Sequence, residues 1–253
     1  MRGSTAPRPG TAAAISAHRG GAEGPPAGTY EAYRAAADAG ADYVEFDIRR
    51  TADAQLVAHH DPGTDGGQAI ADISYARLCE LAGYEVPLVT EAMRIIAGKA
   101  IGHLDLKELG GEDVIIEQAL EILGPGNFVA MTLEDASAAA IKDRFPDVPV
   151  ALSLGRNLGG MPWLSRLPAR RRELYPLSRI RACGADWAAM HYRLARAGVL
   201  RQCHSGGIKA MVWTVNSDPA LARWLADPRV DVVVTDRPRH AAVLRDRLGR
   251  AAL

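Results

Sequence analysis

Tyr43-Val44-Glu45-Phe46-Asp47-Ile48, followed after a turn-like Thr51-Ala52-Asp53-Ala54 by His59-His60-Asp61-Pro62, decides how the rest of the chain is read. The apolar, β-branched run is a strand, and its two carboxylates, two residues apart, lie on one face of it. Two carboxylates that close repel one another and are costly beside apolar neighbours unless a cation neutralises them. A hard divalent ion preferring oxygen ligands is the simplest answer. The dozen residues between Asp47 and His60 are too few for a parallel crossover with its helix, so the chain doubles back as a hairpin. A two-residue turn centred on Asp53-Ala54 sets Asp47 opposite His60, whereas a shift of one residue brings His59 round instead. Pattern alone leaves that choice open.

Working outward, short apolar runs ending in polar residues alternate with Ala- and Leu-rich stretches of helical period, the pattern of repeated βα units. Strands are expected at 12–18, 42–48, 55–60, 100–106, 127–132, 149–154, 184–190, 208–214 and 231–235. Removing the return arm of the hairpin leaves eight, enough for a closed α/β TIM (β/α)8 barrel with an extra β-hairpin at its C-terminal mouth. Helices are expected at 29–39, 74–82, 89–98, 112–123, 134–144, 173–182, 193–205, 217–226 and 238–248. Thr29 and Ser217-Asp218 read as N-caps, and Gly40 and Gly206-Gly207 as stops. Catalytic groups of such barrels stand at the C-terminal strand ends, and His18, Glu45, Asp47, Asp105, Thr132, Ser153, His191, Trp213 and Asp236 all fall at or near them. The stretch 155–177, with Trp163 and Arg170-Arg171-Arg172, reads as a loop over the mouth.

These pieces, His18-Arg19-Gly20, Glu45-Phe46-Asp47, His60-Asp61-Pro62, Leu104-Asp105-Leu106-Lys107, Val212-Trp213-Thr214-Val215-Asn216 and Val234-Thr235-Asp236-Arg237-Pro238, resemble in kind and order the glycerophosphodiester phosphodiesterase family. The resemblance covers nearly the whole chain. It implies that His18 and His60 are the acid/base pair, selecting His60 over His59. It further implies that Glu45, Asp47 and Asp105 hold one divalent ion, Mg or Ca with Mn also admissible, and that Arg19 and Lys107 face the phosphate. Trp213 would wall the alcohol moiety, with His191 beside it. Two departures stand out. Where the family has Pro-Glu-Asn-Thr this chain has Pro26-Ala27-Gly28-Thr29, and the third metal position, usually Glu, is Asp105, as in the sphingomyelinase D-like phospholipases. The expected reaction is hydrolysis of a glycerophosphodiester to sn-glycerol 3-phosphate and an alcohol. The alternatives are a lysophospholipase D or sphingomyelinase D-like enzyme acting on lipids, or a barrel that binds phosphorylated ligands without turnover.

The length of 253 residues suits a single barrel domain, expected over 11–253 behind a frayed 1–10. Lys+Arg and Asp+Glu are 30 each, so there is no basic excess for a nucleic-acid surface, and the expected partner is a small-molecule phosphodiester. Cys79, Cys183 and Cys203 have neither disulfide nor metal-ligand spacing and read as buried small hydrophobes. No apolar run approaches the roughly 18 residues of a membrane span, and no signal-peptide core is present. A cytoplasmic location without membrane insertion is the expectation.

Overall fold

The computed structural model describes residues 12–155 and 163–251, so the expectation for 1–10 falls outside the described residues. The strands are β1 (Ala14–Ala17), β2 (Tyr43–Arg50), β3 (Leu56–Ala58), β4 (Ile101–Leu106), β5 (Phe128–Thr132), β6 (Val150–Leu154), β7 (Trp187–His191), β8 (Lys209–Trp213) and β9 (Val232–Thr235). Eight of them pair in parallel, and pairing of β1 with both β2 and β9 closes the ring. β3 lies outside it, antiparallel on β2. The architecture is the expected TIM barrel with an added hairpin.

Period-two alternation sends one set of side chains inward. Tyr43, Val129, Met131, Trp187, Met211 and Val232 form a barrel-interior core at and above the floor. Opposite positions on the same strands, among them Val44, Phe46, Leu104, Leu152, Met190 and Val212, belong to a second core packed against the helices. Those helices are α1 (Tyr30–Asp38), α2 (Tyr75–Ala82), α3 (Val89–Ile96), α4 (Glu112–Ile122), α5 (Asp135–Arg144), α6 (Trp163–Leu174), α7 (Leu177–Ala182), α8 (Tyr192–Leu194), α9 (Leu200–Ser205), α10 (Asp218–Leu225) and α11 (Pro238–Ala251). Thr29 caps α1, its Oγ1 accepting from Ala32 N at 3.2 Å, and Ser74 caps α2 in the same way. Glu23 caps α11 by accepting from the backbone N–H groups of Arg239 and His240. A small satellite core of Val57, Ile70, Leu78 and Val86 lies beneath the segment inserted after the hairpin.

Three expectations are corrected. The hairpin turn has three residues, Ala52-Asp53-Ala54, closed by Thr51 N donating to Gln55 O at 3.0 Å, with Ala54 left-handed at φ 61°. The extra turn residue moves the register by one, so Ile48 faces Ala58 and Asp47 comes opposite His59, not His60. The stretch 155–177 is not all loop, because α6 occupies 163–174 despite Pro168 in its interior. The expected 173–182 helix is accordingly divided at Tyr175-Pro176 between α6 and α7. The side chain of Trp163 lies outside what is described. Cys183 and Cys203 are buried as expected, whereas Cys79 is only half-buried.

Candidate active site

Strand register assembles the site. In the β2–β4 pairing Glu45 stands beside His103 and Asp47 beside Asp105, all facing inward, while Lys107 follows two residues beyond Asp105. Carboxylate oxygens of Glu45, Asp47 and Asp105 lie within 4.8 Å of one another, and each residue is at most 6 % exposed. Lys107 Nζ bridges Asp47 Oδ1 at 2.8 Å and Asp105 Oδ2. Arg19 Nε lies 3.1 Å from Asp47 Oδ2, in ion-pair range but without hydrogen-bond alignment, and it has no hydrogen-bond partner among the described residues.

Three carboxylates thus face two permanent cations. The imbalance shows at Glu45, pushed up to about 8 by burial and then by the charge of Asp47. Burial also raises Asp105, with Lys107 pulling the other way. At Asp47 burial is outweighed, first by Lys107, so its carboxyl is held below the usual range. A buried cluster with negative charge to spare and only oxygen donors fits a hard divalent ion.

His18 directly follows β1, and the chain leaves the strand abruptly there. Arg19, Gly20 and Gly21 are all left-handed, with φ of 50°, 77° and 87°. A Cβ at Gly20 would lie 2.7 Å from the carbonyl carbon of Ala32, so only glycine lets this turn press on α1. The turn points Arg19 N at Glu45 Oε2, 2.7 Å away. His18 Nδ1 lies 2.6 Å from Asp236 Oδ1, a contact made by the closing β1–β9 pairing. Burial pulls His18 down, but the Asp236 hydrogen bond and the charge of Glu45 outweigh it and leave the ring more basic than usual.

His60 reaches the site by a route the register alone does not give. β3 ends at Ala58 and the chain turns, with Arg49 Nε donating to His60 O at 2.9 Å. His60 then lines the central cavity, its Nδ1 2.8 Å from Asp61 Oδ1, whereas His59 turns its Nδ1 to Asp61 O at 3.0 Å. Both candidate acid/base rings therefore have Nδ1 held by a carboxylate, leaving Nε2 for proton exchange.

The cavity is about 300 Å³, and His18, Arg19, Glu45, Asp47, His60, Asp105, Lys107 and Trp213 all line it. Trp213 Nε1 is buried without a hydrogen-bond partner among the described residues. His191 backs Trp213, ring centroids 5.3 Å apart, and does not itself form the cavity wall. His103 is wholly buried between Ser16 Oγ and Met131 Sδ, and burial drops it to about 3, so it stays neutral. The Pro26–Thr29 segment contributes nothing to the cavity wall and serves to cap α1.

Sequence reasoning missed two members. Asp236 orients His18, and Asn216 in turn holds Asp236, its Nδ2 donating to Oδ2 at 2.5 Å and its Oδ1 accepting from Asp236 N at 3.0 Å. Both lie in quoted motifs; the available signal was that a strand-end Asp on β9 must adjoin the His on β1 once the barrel closes.

Known proteins resemble this chain in sequence and in fold. Residues 18–136, which hold both histidines, the three clustered carboxylates, Arg19 and Lys107, match the glycerophosphoryl diester phosphodiesterase family. The Bacillus subtilis protein YhdW, by its name a candidate glycerophosphodiester phosphodiesterase, is 27 % identical over 88 % of this chain and 94 % of its own length. A glycerophosphodiester phosphodiesterase structure from Parabacteroides distasonis superposes with a TM-score of 0.76 at 20 % identity, over 94 % of this chain and all of that one. An Oleispira antarctica phosphodiesterase, bound to its product sn-glycerol-3-phosphate, superposes at 0.70 with 20 % identity, over 93 % of this chain and 97 % of its own. With its motifs in order and these relatives alike along nearly their whole length, the chain is similar to the glycerophosphoryl diester phosphodiesterase family, whose model it matches over residues 18–136.

Proposed function

We propose that this barrel hydrolyses glycerophosphodiesters to sn-glycerol 3-phosphate and the free alcohol, with His18 and His60 moving the protons. The likeness to glycerophosphodiester phosphodiesterases supports the reaction class, phosphoric diester hydrolysis. The product named in the Oleispira complex supports the glycerol side of the substrate. The observation that carries the reading is the pair of histidines, each with Nδ1 on an aspartate, on the wall of one cavity with a buried three-carboxylate cluster.

The diester is an anion, so the attacking oxygen approaches negative charge. Arg19 and Lys107, already at the cavity wall, lower that repulsion and stabilise the further charge that builds on the phosphoryl oxygens. One imidazole takes the proton of the attacking hydroxyl through Nε2 while the other protonates the departing alkoxide. The attacking hydroxyl is the substrate's own neighbouring glycerol oxygen, and water then opens the cyclic phosphate. Glu45, Asp47 and Asp105 would hold a Mg or Ca ion, which when bound supplies Lewis-acid polarisation of the phosphoryl group. The unpartnered Arg19 Nε and Trp213 Nε1 are donors that substrate oxygens can satisfy.

The test is turnover by the purified protein on a panel of glycerophosphodiesters and lysolipids, with chelator and with metal restored. Release of sn-glycerol 3-phosphate that stops with chelator and returns with Mg or Ca supports the reading. Full activity in excess chelator removes the ion, turnover of lysolipids alone moves the substrate to lipids, and silence throughout leaves a phosphate-binding barrel.

A further inference from the structure

Although the chain is neutral overall, its charge is not evenly spread. Residues 163–217 hold nine arginines and Lys209 against only Glu173 and Asp186. Both carboxylates are already engaged, Glu173 with Arg179 and Asp186 with Lys142. Arg170 to Arg172, Arg181, Arg193, Arg196 and Arg201 are exposed and form no ion pair among the described residues. Elsewhere on the surface, by contrast, arginines such as Arg77, Arg94, Arg144 and Arg237 are paired.

The same flank carries the two most exposed large apolar side chains of the described residues, Leu167 at 77 % and Tyr175 at 63 %. Leu167 and Arg171 are four residues apart and share one side of α6, and Tyr175, the first residue past its end, continues that spacing with its N–H on Arg171 O at 3.0 Å. Glu173, on the opposite side, is 6 % exposed and accepts from Gly155 N at 2.5 Å, and Gly155 lines the catalytic cavity. The helix is therefore fastened to the mouth through Glu173, while Leu167 and Arg171, and Tyr175 just past its end, face solvent. Alongside it, where α6 packs on residues 195–199, Arg196, Arg201, Arg223 and Arg229 line a groove of about 280 Å³. Arg229 is fixed there by both oxygens of Asp227.

We propose that this flank docks on an anionic lipid bilayer, with Leu167 and Tyr175 entering the interface, the arginine row on the headgroups and the groove taking a headgroup phosphate. An apolar stripe among arginines is the composition that lies in a membrane surface, and unpaired cations are what an anionic surface complements. A lone arginine cluster would be ordinary solvated surface; the adjoining apolar pair selects a bilayer over a nucleic acid. The docking is independent of turnover.

Sedimentation of the full-length chain with phosphatidylcholine vesicles, with and without phosphatidylserine, tests it. The chain should sediment with the anionic vesicles only, and added salt should release it. R170S/R171S/R172S should weaken that binding about a hundredfold, at about fivefold for each arginine near the surface. L167S/Y175S should weaken it several-fold, and both variants should keep wild-type melting and wild-type turnover of a soluble glycerophosphodiester. Equal binding to neutral vesicles, no binding to anionic ones, undiminished binding by either variant, or preference for duplex DNA over the vesicles would overturn the proposal. If the triple variant does not fold, L167S/Y175S and the salt titration decide the matter.

Discussion

At His18 the ring is held from behind. Burial alone would make it a weaker base, and the hydrogen bond its Nδ1–H donates to Asp236, with the charge of Glu45, reverses that. Asp236→Asn leaves burial opposed by the charge of Glu45 alone, so the His18 titration followed by NMR should move to lower pH, and turnover should fall. An unmoved titration would mean that Glu45, not Asp236, sets the basicity. The second histidine gives a sharper comparison. His60→Ala should cut turnover by about two to four orders of magnitude, the scale of a general acid or base, whereas His59→Ala keeps most of it. Which histidine reaches the cavity was legible from the motif but not from pairing, because His60 lies beyond the end of β3 and is turned inward by the chain after it. Asp236 was quoted as sequence yet not recognised as a partner, since its neighbour lies 218 positions away.

The elements repeat that division. Strands and their inward carboxylates followed from period-two alternation, and the starts of α1 and α10 from Thr29 and Ser217. The hairpin register did not, because nothing in an alanine announces a left-handed backbone. Ala54 adopts it since Thr51 and Asp53 lock the turn, Thr51 Oγ1 bonding Asp53 Oδ1 at 2.6 Å while Asp53 also accepts from Tyr75 N. A left-handed alanine costs roughly 1–2 kcal/mol, part of which a glycine would return as chain entropy. Ala54→Gly should therefore stabilise the protein by about 0.5–1 kcal/mol in urea unfolding; a loss of stability would mean that the methyl group packs usefully. α6 was hidden for a different reason, with Pro168 inside it. Its described side chains are held by a polar clamp, Glu173 to Gly155 and Arg179, and by Leu174 against the core.

For the whole molecule, the consequence of three buried carboxylates against two cations is that divalent ions should bind the folded state and not the unfolded chain. Mg or Ca at about a hundred times its dissociation constant should then add about 2.7 kcal/mol to stability. Thermal melts should rise with ion concentration for the wild type and much less for Asp47→Asn, which keeps size but removes a charged oxygen. Equal shifts in the two proteins would take Asp47 out of the ion's surroundings. The barrel itself was legible because eight strands of one pattern admit few closures, and no helix among the described residues is long and apolar enough to cross a membrane.

The contact between His18 and Asp236 joins the first strand of the ring to the last. Every intervening βα unit must be in place before that hydrogen bond can form, so it is among the most non-local contacts the chain can make, and such contacts form slowly. Catalytic competence is thus a late event in the history of each molecule. During refolding, helical circular dichroism should recover before turnover does, and a chain stalled short of β9 should be helical and silent. With His18 in the proposed acid/base role, a nascent or misassembled copy should cleave no phosphodiester with half a site, and the ring's seam then works as a check on its own completion.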